Sequence, residues 1–159
     1  MQLRRAAAGD EEALAHIRRS AILALAVPVL SPEEAEQWAG SAAADRIARA
    51  IREHEVWVAV AESAVGWVEV DGDRVAALYV APAWAGRGVG SALLACAEAA
   101  IQRSGHPAAR LESSRNALAF YLRRGYKRCG QPDAVEAYPM RKDLISVAPK
   151  QDATQQERQ

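Results

Sequence analysis

Gly86, Gly88 and Gly90 alternate around Arg87 within the stretch VAALYVAPAWAGRGVGSALL, residues 75–94. Alternating glycines reach backbone conformations closed to other residues and keep side chains out of the way. The pattern Ser91-Ala92-Leu93-Leu94 begins a helix, whose free amide N–H groups and positive dipole end then face the same turn. An arginine beside such donors binds a diphosphate by charge and direction together. Two other phosphate motifs are excluded. A dinucleotide fingerprint GxGxxG needs glycine where Leu93 stands, and a GxxxxGK[ST] loop does not occur.

Other reactive residue types are sparse. His16 falls on a helical pattern and His106 in a loop, with no acidic or cysteine partners at metal spacing, so no metal is assigned. Cys96 and Cys129 have no paired spacing, and the helical stripe around Cys96 points it into a core. Two reduced thiols imply a cytoplasmic chain. Glu69 shares a strand face with Trp67 and can act as a base directly or through water, or face solvent at a sheet edge. His54 and Glu55 are alternative bases near a strand entrance, although His54 reads more readily as a surface or edge histidine. Trp38, Trp57, Trp67 and Trp84 either wall a pocket or serve as ordinary packing.

The 159 residues are enough for one domain with its own core, and half of them are hydrophobic. Twenty basic and 20 acidic residues cancel, so nothing draws the whole chain to nucleic acid or to an anionic membrane. Any anion site must arise locally. The opening MQLRRAAAGDEE has no hydrophobic segment of export type, and the apolar run 21–30 is too short to cross a bilayer and contains Pro28.

Residues 2–5 read as a short strand, followed by a helix with Asp10, Glu11 and Glu12 at its start and Leu14, Ile17, Ala21, Ile22 and Leu25 as its buried stripe. Pro28 ends it. Ser31-Pro32-Glu33-Glu34 opens a second short helix carrying Trp38, and residues 42–52 form a third, with Ile47 and Ile51 on one face. Residues 55–60, 65–70 and 75–80 read as an antiparallel meander with a hairpin at Asp71-Gly72-Asp73. On the middle strand Val65, Trp67 and Glu69 share one face, and Gly66, Val68 and Val70 the other. Gly66 marks a bulge or a close approach by another group.

The helix after the glycine turn runs through Val89, Leu93, Cys96 and Ala100 to a stop at 104–107. A crossover of this kind lets residues 108–111 lie parallel to the strand ending at Val80. Residues 115–124 form a short helix ended by Gly125. Two final strands follow at 126–129 and 138–144. Residues 1–147 thus make one domain, and 148–159, without apolar periodicity, read as a disordered tail.

Two segments together resemble the GCN5-related N-acetyltransferase family. LYVAPAWAGRGVGSALL, 78–94, resembles its central cofactor motif: Gln or Arg, two residues, Gly, one residue, then Gly or Ala. NALAFYLRRGY, 116–126, resembles its second motif, an alanine-containing helix leading to Phe-Tyr and then Gly with an aromatic residue. The resemblance spans roughly residues 2–144. It implies an α/β (α+β) fold with a mixed, mostly antiparallel sheet flanked by helices. The activity it implies is transfer of the acetyl group of acetyl-coenzyme A to a primary amine of a small molecule or peptide.

Carried to this chain, the resemblance has the backbone near Tyr79 and Val80 pair with the pantetheine arm like an added strand. The amides of Arg87, Gly88, Val89, Gly90 and Ser91 take the pyrophosphate, and Asn116 reaches the cofactor arm. The resemblance also places the Tyr121 hydroxyl near the cofactor sulfur as general acid; a phenol is neutral at pH 7 and can donate to charge developing there. Tyr121 otherwise completes a Leu118–Leu122 core face. Two positions depart from the family pattern: Ala85 replaces the usual Gln or Arg, and Glu112 stands where many relatives have Asn. A catalytically inactive acyl-coenzyme A-binding regulatory module is the alternative reading. A homodimer through a sheet edge or the last strand is as open as a monomer.

Overall fold

The apolar runs of the first half become strands at Gln2–Arg5 (β1), Glu55–Val60 (β2), Ala64–Asp71 (β3) and Arg74–Val80 (β4). Ala108–Ser113 (β5), Lys127–Arg128 (β6) and Tyr138–Asp143 (β7) complete one sheet, ordered β1-β2-β3-β4-β5-β7-β6. The computed structural model describes residues 1–26, 33 and 43–144. The expected Trp38 helix, apart from Glu33, and the expected tail at 148–159 lie outside the described residues.

Helices Glu11–Ala26 (α1) and Ala43–Glu53 (α2) cover one face of the sheet. Their Leu14, Ile17, Ile47 and Ala50 form a core with Val56, Val58 and Trp67. The Trp67 indole N–H donates to the Leu14 carbonyl at 3.0 Å, which satisfies its polar atom inside that core. Asp10 starts α1: its carboxylate accepts from the Ala7 N–H at 2.8 Å and from both terminal nitrogens of Arg4 at 2.8 and 2.9 Å. Helix Val89–Arg103 (α3) covers the other face with Val89, Leu93, Leu94, Ala97, Ala100 and Ile101. The short helix Leu118–Leu122 (α4) packs beside it through Tyr121 and Phe120. Among the described residues no helix is long and apolar enough to cross a membrane.

All strand pairs are antiparallel except β4 with β5. That parallel pair is registered only at Arg74 and Arg110, where the Arg110 N–H reaches the Asp73 carbonyl at 2.9 Å. A register shift on the other side of β4 puts Ala77 opposite Glu69 but Val75 opposite Val70, so Ala76 is an extra residue. Such a bulge bends its strand. Beyond it β4 parts from β5, and Ala77, Leu78, Tyr79 and Val80 are only half-buried. The sheet is therefore split at its centre, at the carboxyl ends of two parallel strands.

Two details differ from the sequence-based expectation, and the sheet order adds a third feature on which the sequence is silent. Val65 sits at a second register shift, with Ala59 opposite Gly66 and Val60 opposite Ala64, and packs with Val68 on the α3 side instead of with Trp67. Cys96 is half-buried on the flank of α3, not in its core stripe. The last strand, β7, inserts between β5 and β6.

Candidate active site

The glycine turn takes its shape from a short 3-10 turn at Pro82–Trp84 and from two residues with positive φ, Gly86 at 74° and Gly88 at 82°. Gly88 is the N-cap of α3, and no side chain caps it. The first helical hydrogen bond runs from the Ala92 N–H to the Gly88 carbonyl at 3.0 Å. The amides of Val89, Gly90 and Ser91 consequently have no partner within the helix, as at any helix start. A Cβ placed on Gly86 or Gly88 would meet no atom within 4 Å, so the turn is open above its donors. Gly66 and Gly90 serve packing instead. A Cβ on Gly66 would stand 2.9 Å from Leu93 and 3.0 Å from the Tyr79 carbonyl, and one on Gly90 would stand 3.2 Å from the Phe120 ring.

Two arginines border this turn. The Arg87 guanidinium lies 5.0 Å from the Trp84 ring centroid, a cation–π contact that holds it at the loop. Arg124, just beyond α4, donates through Nε to the Ser91 hydroxyl at 3.0 Å and also through Nη2 to the same oxygen. Its Nη1 donates to the Phe120 carbonyl at 2.8 Å, and its plane stacks 3.6 Å from the Phe120 centroid. A groove of ≈ 520 Å³ leads away from Ser91 between Leu94, Glu98, Arg123, Arg124 and Lys142. Sequence reading missed Arg124; its RRG context resembles any basic helix end.

Tyr121 packs edge-on against Phe120 and Tyr126, at centroid distances of 5.0 and 5.7 Å, and is 8 % exposed. Burial above all, with a push from the neighbouring Tyr79 phenol and an opposing pull from Arg124, raises its phenol to about 12. Tyr121 is thus a neutral donor throughout the physiological range. Tyr79, on the half-buried end of β4, tilts against Trp67 at 5.4 Å and also lines the cavity described next.

Glu69 is only 6 % exposed, which removes the reading of a solvent-facing edge glutamate. It opens into a narrow cavity of ≈ 30 Å³ with Arg18, Arg46, Ile47, Trp67 and Tyr79 in its walls. Its Oε1 lies 3.3 Å from His54 Nδ1, so His54 belongs to this site and is no bystander on the surface. Glu55 does not belong to it. That carboxylate accepts from the Trp57 indole at 2.9 Å and pairs with Arg103 at 3.2 Å, on the opposite face of the sheet.

Asn116 is exposed on the 3-10 turn Arg115–Ala117. Glu112 is paired with Arg74 at 3.2 Å. Among the described residues no group of His, Cys, Asp and Glu is arranged to hold a metal. The structure brings together Tyr79, Val80, Tyr121 and the glycine turn around the split between β4 and β5, with Glu69 on the far side of Tyr79.

A family profile described as acetyltransferase (GNAT) domain matches residues 26–144. A solved GCN5-related N-acetyltransferase from Rhodopseudomonas palustris is 28 % identical, with a TM-score of 0.77 over 90 % of this chain and 95 % of that one. The PaiA N-acetyltransferase of Thermoplasma acidophilum, solved with coenzyme A, shares the fold at 21 % identity and a TM-score of 0.81, over 90 % of this chain and 98 % of that one. An aminoglycoside 6′-acetyltransferase of type Ii does so at 18 % identity and a TM-score of 0.70, over 93 % and 100 % of the two chains. No functionally curated protein matches the sequence.

Proposed function

The chain belongs to the GNAT acetyltransferase family, and from that premise we propose that it transfers the acetyl group of acetyl-coenzyme A directly to a primary amine of a small molecule or peptide. The observation that carries this reading is the split between β4 and β5 beside the uncapped start of α3. The free edge of β4 at Tyr79 and Val80 offers strand-type hydrogen bonds to an amide-bearing arm. The amides of residues 87–91, with Arg87 and Arg124, suit a diphosphate. The groove past Arg123 and Lys142 continues from that point and suits the nucleotide end. Asn116, exposed on the turn before α4, would contact the arm as the family resemblance implies.

Acetyl-coenzyme A supplies an activated acetyl thioester. The chain's own task is to bind and orient both reactants and to handle two protons. Tyr121 holds a proton on a phenol that burial keeps neutral, and donates toward the sulfur as negative charge develops there. The same apolar surroundings disfavour a bare thiolate, so the burial that weakens the acid also makes its proton wanted. Glu69 takes the proton that an ammonium must lose before its nitrogen can attack, directly or through water.

Calorimetric titration with acetyl-coenzyme A, beside 3′-dephospho-coenzyme A and NAD, tests the site. Saturable binding of acetyl-coenzyme A followed by thiol release with a primary amine supports the proposal; no binding by the folded protein ends it. One observation favours the alternative of an inactive acyl-coenzyme A-binding module. Ala85 has no side chain to offer where relatives have Gln or Arg, and its N–H is already spent on the Pro82 carbonyl at 3.2 Å. Binding without thiol release from any amine would select that alternative.

A further inference from the structure

His54 stands between two carboxylates. Its Nδ1 lies 3.3 Å from Glu69 Oε1 and its Nε2 lies 3.5 Å from Asp71 Oδ1. The two carboxylates differ in their access to water: the Glu69 side chain is 8 % exposed and the Asp71 side chain 52 %, with the His54 ring at 29 %. We propose that Glu69, His54 and Asp71 form a proton exit from the cavity beside Glu69 to solvent.

The inference rests on the acetyl transfer proposed above, and the proton count of that reaction requires such a route. An ammonium group brings three protons on nitrogen, and the amide product keeps one. As the nitrogen lone pair forms the new C–N bond, the C–S bond breaks with its electron pair on sulfur. One proton goes to that sulfur, by way of Tyr121. The other must reach water in every turnover. Glu69 faces the cavity but is cut off from bulk solvent, so without an outlet it would remain protonated after one cycle.

An imidazole with a carboxylate at each nitrogen provides the outlet. Glu69 passes its proton to Nδ1, the imidazolium releases the proton on Nε2 to Asp71, and Asp71 gives it to water. The ring is itself partly exposed and resets its tautomer by exchange with solvent. The alternation of a strand explains the placement: Glu69 and Asp71 are two apart and project to the same side of β3, and His54 follows the end of α2 directly above them. The charged and titratable groups around the route are these two carboxylates on β3, with Arg18 of α1, Arg46 of α2 and Tyr79 of β4 lining the cavity beside Glu69.

Two variants test the route by turnover: His54→Gln, which retains a side chain able to hydrogen-bond to Glu69 but cannot relay a proton, and Asp71→Asn at an exposed position where folding is not at stake; Glu69→Gln is a third, for spectroscopy alone. In the protein without ligands, the ¹⁵N resonance of His54 Nε2 should move in Asp71→Asn and that of Nδ1 in Glu69→Gln. Turnover is read as thiol release from acetyl-coenzyme A with tyramine, cadaverine and a glycine-leading tripeptide as probe amines, from pH 6 to 9. The expected result is a loss of about 10-fold or more in kcat for His54→Gln, a smaller loss for Asp71→Asn, and partial recovery of both as imidazole buffer is raised. Acetyl-coenzyme A affinity by calorimetry should stay within about twofold of wild type, because neither residue borders the glycine turn. Wild-type turnover with unaltered, buffer-independent kcat in both variants would overturn the exit alone. A wild-type protein that binds acetyl-coenzyme A but acetylates no amine would instead remove the acetyl-transfer reading, and the exit with it.

Discussion

Arg124 reaches from the end of α4 to the Ser91 hydroxyl in the first turn of α3, so the two helices that border the glycine turn are joined through one guanidinium. The link places a full positive charge where the dipole of α3 already favours an anion. It also holds Phe120 against Gly90, which has no Cβ to keep that ring away. Arg124→Leu should weaken acetyl-coenzyme A binding by about 10-fold, the scale of one charge-assisted hydrogen bond. Calorimetry measures it. An unchanged affinity would mean that the guanidinium serves helix packing alone.

The Arg87 guanidinium lies against the Trp84 ring at the mouth of the turn. Arg87→Glu places a negative charge at the uncapped amides of α3 and should reduce acetyl-coenzyme A affinity by at least about 10-fold, more at low ionic strength than at high. The difference between the two salt conditions separates charge repulsion from a local distortion. Equal losses at both would argue for distortion.

For Tyr121→Phe the affinity should hold while kcat falls by about 100-fold, the lower range for a positioned acid. The phenol is raised to about 12 in the folded chain. It therefore stays protonated well above neutrality, and an alkaline loss of activity with a midpoint between pH 8 and 10 must come from another group. The same shift acts on stability. A phenol whose folded pKa lies above its unfolded value of about 10 stabilises fully below pH 10 and loses that contribution as the pH climbs toward 12. Wild type should then lose more stability than Tyr121→Phe in denaturant titrations between those pH values.

Two glycines should respond to substitution for different reasons. Gly66→Ala forces a methyl group into Leu93, Val89 and the Tyr79 carbonyl and should cost about 1–3 kcal/mol as overpacking. Gly88→Ala meets no neighbour but must hold a φ of 82°, with a cost of about 1–2 kcal/mol. Thermal denaturation gives both values. Gly88→Ala should also weaken cofactor binding, because relief of its strain means moving the amides of the turn.

The strand, glycine turn and helix at 75–94 were legible because each rests on local chemistry: apolar runs, positive φ and a helix start are written within a few residues. The meander and the parallel return of β5 follow from hairpin and crossover lengths in the same way. Tyr121 stands out as a candidate acid only through the resemblance of its segment to a known family, since a tyrosine on an apolar helix face reads equally well as core. The faces of β3 were partly misread because alternation counts residues, and the extra residue at Val65 breaks the count. Arg124 with Ser91, 33 positions apart, and the insertion of β7 beside β5 were not legible, because no local pattern encodes which distant segments meet. His54 reads from the sequence only as an alternative base or an edge histidine. Its two partners on β3 emerge only when α2 is laid over the sheet.

The position of β7 has a consequence for the growing chain. Residues 108–113 emerge from the ribosome well before residues 138–143, yet the latter are their antiparallel neighbours. Until they arrive, β5 has an unpaired edge toward β7 and meets β4 at only one registered pair, a template that a second nascent chain can join. Translation arrested in the loop after β6 would leave that edge bare, so stalled or prematurely ended chains should be the aggregating species, and completed chains should not.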